Sequence, residues 1–272
     1  MNLALAQIEV EPAATDANLE RAVDAVARAA DGGAELVVLP ELFTVGYFSF
    51  DTYARSAESL EGPTLERIRG VAAAENVAVL AGTVVEDLEA TATETDLAVP
   101  SEEGLANTAV LFDADGQRQL AYRKHHLFGY DSAEQALLTP GERLPVAELG
   151  ELTIGVTTCY DLRFPELYRD LVADGAELIV VPSAWPYPRV EHWQLLPRAR
   201  AVENLAYVAA ANGVGRFEEA ELLGRSTVFD PWGTTLSSSG DEPTLVTAEV
   251  VPERIAEMRS EFPALADHRR EQ

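Results

Sequence analysis

The sequence predicts one α/β domain. Three observations carry that prediction. Amphipathic helical stretches alternate with short apolar runs of strand length. One helix–turn–strand unit occurs twice. No Pro/Gly/Ser-rich linker interrupts the 272 residues, a length that α/β folds often hold in a single domain.

The elements follow in chain order. Leu3–Gln7 reads as an early, largely buried strand. Leu19, Ala22, Val23, Val26, Ala27 and Ala30 then repeat at helical spacing, behind Thr15 and Asp16 as capping candidates, and Gly32 and Gly33 close the helix. Glu35–Leu39 is a short apolar run that stops at Pro40. This unit returns later: Gly33-Ala-Glu-Leu-Val-Val-Leu-Pro40 is echoed by Gly175-Ala-Glu-Leu-Ile-Val-Val-Pro182, behind a helix over Pro165–Asp174. Two such units imply a sheet system in two similar halves. Further strands are expected at Val77–Thr83, Thr108–Phe112, Gln117–Arg123, Leu152–Thr158, Tyr207–Ala211, Thr227–Phe229 and Leu245–Val250. Asp113-Ala-Asp-Gly116 reads as a hairpin turn. Helices are expected over Pro63–Asn76, Glu191–Asn204 and Pro252–Glu261, with Pro63 and Pro252 at first-turn positions. Glu86–Leu105 is acidic without periodicity and reads as a surface loop.

Charge narrows the function. There are 46 acidic and 20 basic residues, a formal net of −26. Such a surface repels phosphate backbones and anionic lipid, which argues against nucleic-acid and membrane partners. The acids are spread along the chain, so they form a surface and not a tail. We read that surface as salt-adapted, its self-repulsion screened at high ionic strength. No apolar stretch reaches membrane-span length, and Met1 runs straight into a strand without a secretory n-region, so a cytoplasmic protein is expected.

Two residue counts point to chemistry. Of the 20 basic residues, 19 are Arg and one, Lys124, is Lys. An ammonium is a compact donor whose pKa shifts, which Arg cannot imitate. Cys159 is the single Cys, which excludes an internal disulfide and a Cys-based metal cluster and leaves a candidate nucleophile. Taken alone, each has an ordinary explanation: Cys159 as a small buried hydrophobe, Lys124 as a snorkelling surface residue, Glu41 as a helix cap.

Three segments stand at the ends of expected strands, where α/β sheets hold ligands. They are Leu39-Pro-Glu41-Leu-Phe43, Tyr122-Arg-Lys124-His-His-Leu-Phe128 and Thr158-Cys159-Tyr-Asp-Leu-Arg-Phe-Pro-Glu166. These segments resemble the Glu, Lys and Cys motifs of the nitrilase (carbon–nitrogen hydrolase) superfamily. The resemblance covers nearly the whole chain in order, through Ser183-Ala-Trp-Pro186, His192-Trp193, Arg198-Ala-Arg-Ala-Val-Glu-Asn204, Gly224-Arg-Ser226 and Asp230-Pro-Trp-Gly233. It implies a four-layer αββα sandwich, a homodimer or larger homo-oligomer, and a C-terminal segment of about 252–272 at a subunit interface. It also implies a catalytic triad of Glu41, Lys124 and Cys159, with no metal or organic cofactor. Cys159 would attack an amide carbon and Glu41 would act as general base. Lys124 and the backbone N–H of Tyr160 would hold the oxyanion. Glu134, followed by Pro140-Gly141, matches a second family glutamate and is expected to position Lys124 or substrate.

The Cys-Tyr-Asp-Leu-Arg-Phe-Pro-Glu form looks most like the ω-amidase and Nit-type branch, which implies a small carboxylate-bearing amide as substrate. Tyr47, Tyr130, Trp185 and Arg189 are the candidate substrate-binding residues. Arg163, Asp161 and Glu166 are read as structural, and His192 and Trp193 as shaping the pocket edge or supporting Glu203. Adjacent His125 and His126 are not read as metal ligands. An N-carbamoyl amino acid amidohydrolase or a nitrilase with the same triad, and a non-catalytic scaffold on the same fold, remain the alternatives.

Overall fold

The computed structural model describes residues 1–129 and 132–267. One sheet is built from β1 (Asn2–Gln7), β2 (Leu36–Val38), β3 (Ala78–Leu80), β4 (Val84–Asp87), β5 (Leu105–Phe112), β6 (Arg118–Arg123) and β15 (Thr244–Glu249). A second is built from β7 (Val146–Leu149), β8 (Leu152–Val156), β9 (Leu178–Ser183), β10 (Tyr207–Asn212), β13 (Thr227–Phe229) and β14 (Thr235–Ser238). A separate hairpin joins β11 (Val214–Arg216) to β12 (Glu221–Leu223). The helices are α1 (Thr15–Asp31), α2 (Tyr53–Ser56), α3 (Pro63–Glu75), α4 (Leu88–Glu94), α5 (Glu134–Leu137), α6 (Pro165–Ala173), α7 (Val190–Asn204) and α8 (Pro252–Glu261).

Burial gives the layers. Leu3, Leu5, Leu36 and Val38 of the first sheet pack against Ile154, Val156, Leu178 and Val180 of the second in one apolar core. The other face of the first sheet, with Ala4, Val37 and Val79, packs against Ala22, Val26, Ile68 and Val71 of α1 and α3. The other face of the second sheet, with Ile179, Val181 and Val208, packs against Leu167, Leu171 and Trp193 of α6 and α7. Strands with both faces buried read as continuous apolar runs, as β2 and β9 do. The result is the expected αββα sandwich.

The repeated unit is repeated in space. Gly33 and Gly175 both take left-handed φ, +84° and +103°, beyond the ends of α1 and α6. A side chain disfavours that conformation, so glycine holds both positions. The following Ala34 and Ala176 donate back to Ala29 and Leu171. Glu35 N–H then bonds Asn2 O, and Glu177 N–H bonds Thr153 O, starting β2 and β9 alongside β1 and β8. Each half thus places a parallel strand inside its own sheet by the same turn.

Several local expectations are corrected. Thr15 and Asp16 lie inside α1; the cap position is Ala14, without a side-chain cap bond. The stretch 86–105 is not a loop throughout. Glu86 closes into β4 fully buried, and Asp87 caps α4 by accepting from Ala90 N–H at 3.0 Å. Glu86 sits in the interior because Arg123 of β6 meets it with two bonds of 2.7 Å, a bidentate pair. The run 77–83 breaks after Leu80, because its chain turns into β4. The hairpin turn holds: Gly116 N–H bonds Asp113 O, between β5 and β6.

Candidate active site

The strand ends converge. Glu41 follows β2 and Lys124 follows β6 in the first sheet. Cys159 follows β8 in the second. Ala184, beyond β9, closes the ring. Lys124 and Glu41 are each 1% exposed, and Glu134 is 0% exposed. Cys159 is 8% exposed and opens on a cavity of about 330 Å3.

Lys124 Nζ lies 2.8 Å from Glu41 Oε1, and 2.9 and 3.1 Å from the two oxygens of Glu134. The Tyr47 ring lies 5.1 Å from the same ammonium. Glu41 Oε2 accepts the Ala184 N–H at 3.0 Å. Glu134 Oε2 accepts the Tyr47 hydroxyl at 3.0 Å and the Phe128 N–H at 2.7 Å. The Glu41 carboxyl and the Cys159 thiol perturb each other's pKa. Glu41 and Lys124 are in direct contact, and Lys124 and Cys159 line the same pocket.

The sequence reading missed Asn107. Its Nδ2 donates to Glu41 at 2.9 Å and to Glu134 at 3.2 Å, so one amide bridges both carboxylates. Its own C=O accepts the Lys124 N–H at 2.9 Å. A lone Asn at the head of an apolar strand is the signal. The expected strand began at Thr108, one residue too late to enclose it.

Electrostatics sets the proton positions. Burial opposes the Lys124 charge, but Glu134 and Glu41 outweigh it and hold its pKa well above the ordinary ammonium value. Burial raises the Glu41 carboxyl, Lys124 pulls it back down, and Glu134 adds to the rise; the net shift is upward. Burial, then Glu41, push the Cys159 thiol well above its usual range. At neutral pH Lys124 is therefore an ammonium and the Cys159 thiol is un-ionised.

A strained turn presents the sulfur. Cys159 has φ +46°, a left-handed conformation that costs a non-glycine residue about 1–2 kcal/mol. The buried Asp161 carboxylate supports that turn. It accepts the Tyr122 hydroxyl at 2.6 Å, the Thr158 N–H at 2.9 Å and the His126 N–H at 2.9 Å. The structural reading of Asp161 holds. Glu166 stands exposed in the first turn of α6.

The pocket gathers Tyr47, Trp185 and Arg189 from the expected set, together with Tyr160. Tyr130 lies outside the described residues. Two readings are corrected. Arg163 is not only structural: it lines the pocket against the Tyr160 and Trp185 rings and donates to His192 Nδ1 at 3.1 Å. His192 does not support Glu203, which pairs instead with Arg200 at 2.6 Å. Trp193 is buried behind the pocket, its ring 5.7 Å from Trp185. His126 stacks on Phe164 at 3.6 Å and bonds Asp161. Among the described residues no group of three His, Cys, Asp or Glu is placed to hold a metal, and no helix is long and apolar enough to cross a membrane.

Known proteins resemble this chain over most of its length. A family model described as carbon-nitrogen hydrolase matches residues 2–260. A 2-oxoglutaramate amidase of Paenarthrobacter nicotinovorans is 38% identical over 242 residues, 88% of this chain and 79% of that protein. Nit3 of Saccharomyces cerevisiae, a member of branch 10 of the nitrilase superfamily, superposes with a TM-score of 0.84 at 30% identity, covering 97% of this chain and 94% of that one. An amidase from Nesterenkonia sp. AN1, with acrylamide added to its active-site cysteine, superposes with a TM-score of 0.80 at 31% identity, covering 97% of this chain and 98% of that one. The chain belongs to the carbon–nitrogen hydrolase family of the nitrilase superfamily. Its reaction class is hydrolysis of carbon–nitrogen bonds other than peptide bonds, as an amidase.

The Asp161 contacts generate a prediction independent of chemistry. Asp161→Ala strands the Tyr122 hydroxyl and two backbone N–H groups in the interior. We expect a loss of about 2–4 kcal/mol in stability, read by urea denaturation. A loss within 0.5 kcal/mol, the range of about an ordinary surface change, would show that the turn does not depend on it.

Proposed function

We propose that the chain hydrolyses small carboxylate-bearing amides of the ω-amidase type, releasing ammonia, with Cys159 as nucleophile. The observation that carries this is the ion pair of Glu41 with Lys124, which lines the pocket together with Cys159.

The steps follow from the protons. As sulfur attacks the amide carbon, the thiol proton passes to Glu41 and negative charge builds on the amide oxygen. The Lys124 ammonium and the Tyr160 N–H accept that charge; removing one such donor typically costs about 10²–10³ in rate. Glu41 returns the proton to nitrogen, the C–N bond breaks, and ammonia leaves a thioester. Glu41 then takes a proton from water as its oxygen attacks the thioester carbon. The C–S bond breaks, and the acid product and free thiol are restored. Glu134 keeps Lys124 charged and in place. An un-ionised resting thiol suits this scheme, because deprotonation is coupled to attack.

Arg163 supplies the carboxylate contact. It lies on the same turn as Cys159 and its guanidinium faces the pocket. The similarity to the 2-oxoglutaramate amidase supports this substrate class. A panel of 2-oxoglutaramate, simple aliphatic amides, N-carbamoyl amino acids and nitriles tests it by ammonia release. Wild type is expected to favour the ω-amide, and Cys159→Ala to lose turnover by at least about 10³-fold while remaining folded. A clear preference for carbamoyl compounds or nitriles would overturn the substrate class. An active, folded Cys159→Ala would overturn the nucleophile.

The raised Glu41 pKa fixes the acid limb. Glu41 must be a carboxylate to accept the thiol proton, so kcat/KM falls as pH drops through its pKa. Because that pKa is raised, the limb is expected above 4.5, the ordinary carboxyl value. A limb at or below 4.5 in the pH profile would contradict the role.

We further propose one domain, assembled as a homodimer or larger and adapted to salt. Leu195 and Val202 expose one face of α7, 63% and 46% accessible, and Trp232 packs at a tilt against the exposed Phe262 beyond α8. These apolar groups suit a second copy. The net charge of −26 suits screening. Thermal unfolding and light scattering along a KCl series are expected to show one transition that rises with salt, in an assembly larger than a monomer. A salt-independent transition or a clean monomer would refute the corresponding part.

A further inference from the structure

The reading above uses one pocket arginine, yet the pocket presents two. The Arg163 Cζ lies 5.8 Å from the Tyr160 ring centre and 5.2 Å from that of Trp185. The Arg189 Cζ lies 5.8 Å from the Phe128 ring centre. Phe128 meets Tyr160 edge-on at 5.0 Å, so both guanidinium groups rest on one aromatic wall.

Neither has an acidic partner among the described residues, although both line one cavity. Acids outnumber bases 46 to 20 in this chain. Arg21, Arg118, Arg123, Arg200, Arg216 and Arg254 all pair with carboxylates. Among the described residues, Arg163 and Arg189 form no such pair, and the polar side-chain partner of Arg163 is the His192 imidazole. Glu219 lines the same mouth but is exposed and bridges neither. Two guanidinium groups at one cavity, neither paired with a carboxylate among the described residues, can meet an anionic ligand.

The backbone of Arg189 is anchored. Its C=O accepts Trp185 Nε1–H at 3.1 Å and the Trp193 N–H at 3.2 Å, and its N–H donates to Pro186 O at 3.3 Å. The side chain therefore leaves from a fixed point at the head of α7. The cavity, about 330 Å3, falls in the range of roughly 300–1,000 Å3 that holds ligands larger than a five-carbon acid.

We propose that Arg189 forms a second anion subsite, and that the preferred substrates are amides carrying two anionic groups, one on Arg163 and one on Arg189. Arginine suits both places: its planar fork binds carboxylate through two parallel bonds while its face stays on an aromatic ring. The proposal rests on the pocket being the amide site, as argued above.

Binding to Cys159→Ala tests it without turnover. Calorimetry at constant KCl would compare glutaramic acid, a monoanion, with the 1-monoamide of tricarballylic acid, a dianion. The dianion is expected to bind about tenfold or more tighter. Adding Arg189→Gln should weaken the dianion about 10- to 100-fold and the monoanion less than about threefold; adding Arg163→Gln should weaken both. Equal binding of the two amides in the Arg189-intact protein, or an equal loss of both with Arg189→Gln, would overturn the second subsite. Failure of the amidase reading would show elsewhere, in absent ammonia release by wild type.

Discussion

A single buried ammonium organises this protein. Lys124 is placed where water cannot solvate it; Glu41 and Glu134 replace the water, and Asn107 donates to both carboxylates. Removing one partner from such a buried pair costs about 3–5 kcal/mol, because the other charge stays buried. Burial raises the Glu41 carboxyl and the Cys159 thiol together, Glu134 adding to the first and Glu41 to the second, while Lys124 opposes both. Two neighbouring groups with raised affinity for a proton form a site where it can move between them at modest cost. The burial that burdens the interior thus also poises Glu41.

This cluster exists only because two sheets face each other. Glu41 and Lys124 come from the first sheet and Cys159 from the second, while Ala184, after β9, holds Glu41 from across the interface. The inter-sheet core of Leu36, Val38, Val156 and Val180 sets the distance between them. The repeated Gly-Ala-Glu turn explains the pseudo-symmetry: each half carries a strand to the same rim, one ending in Glu41 and the other in Ser183-Ala184. One half contributes Glu41 and the other the backbone amide that holds it.

What the sequence disclosed and concealed follows from range. The helices, the αββα class and the Glu41, Lys124, Cys159 and Glu134 cluster were legible, because periodicity and motif order are local or strictly sequential. Contacts between distant elements were not. Glu86 looked like a solvated loop acid, since its partner Arg123 arrives from another strand. Asn107 looked ordinary, since both its carboxylates lie far away in sequence. Arg163 sits in the turn after Cys159 and read as a brace for it; the Trp185 ring that turns it toward the cavity comes from beyond β9. Thr15 and Asp16 mislead for a different reason: good capping residues can simply continue the first helical turn.

The acidic surface sets a problem that the pocket answers. A net charge of −26 repels an anionic substrate at long range, and salt screens that repulsion beyond roughly 10 Å at 0.1 M. Attraction must then be local. Lys124 cannot supply it, because its charge is already balanced by Glu41 and Glu134. On the proposal above, Arg163 and Arg189 do, since among the described residues their neighbours are aromatic faces and an imidazole. An acidic surface and a pocket proposed to take an anion are compatible only when the pocket cations are kept from the surface acids. The wall of Phe128, Tyr160 and Trp185 performs that separation: it fills the space beside each guanidinium with rings that attract a cation without neutralising it.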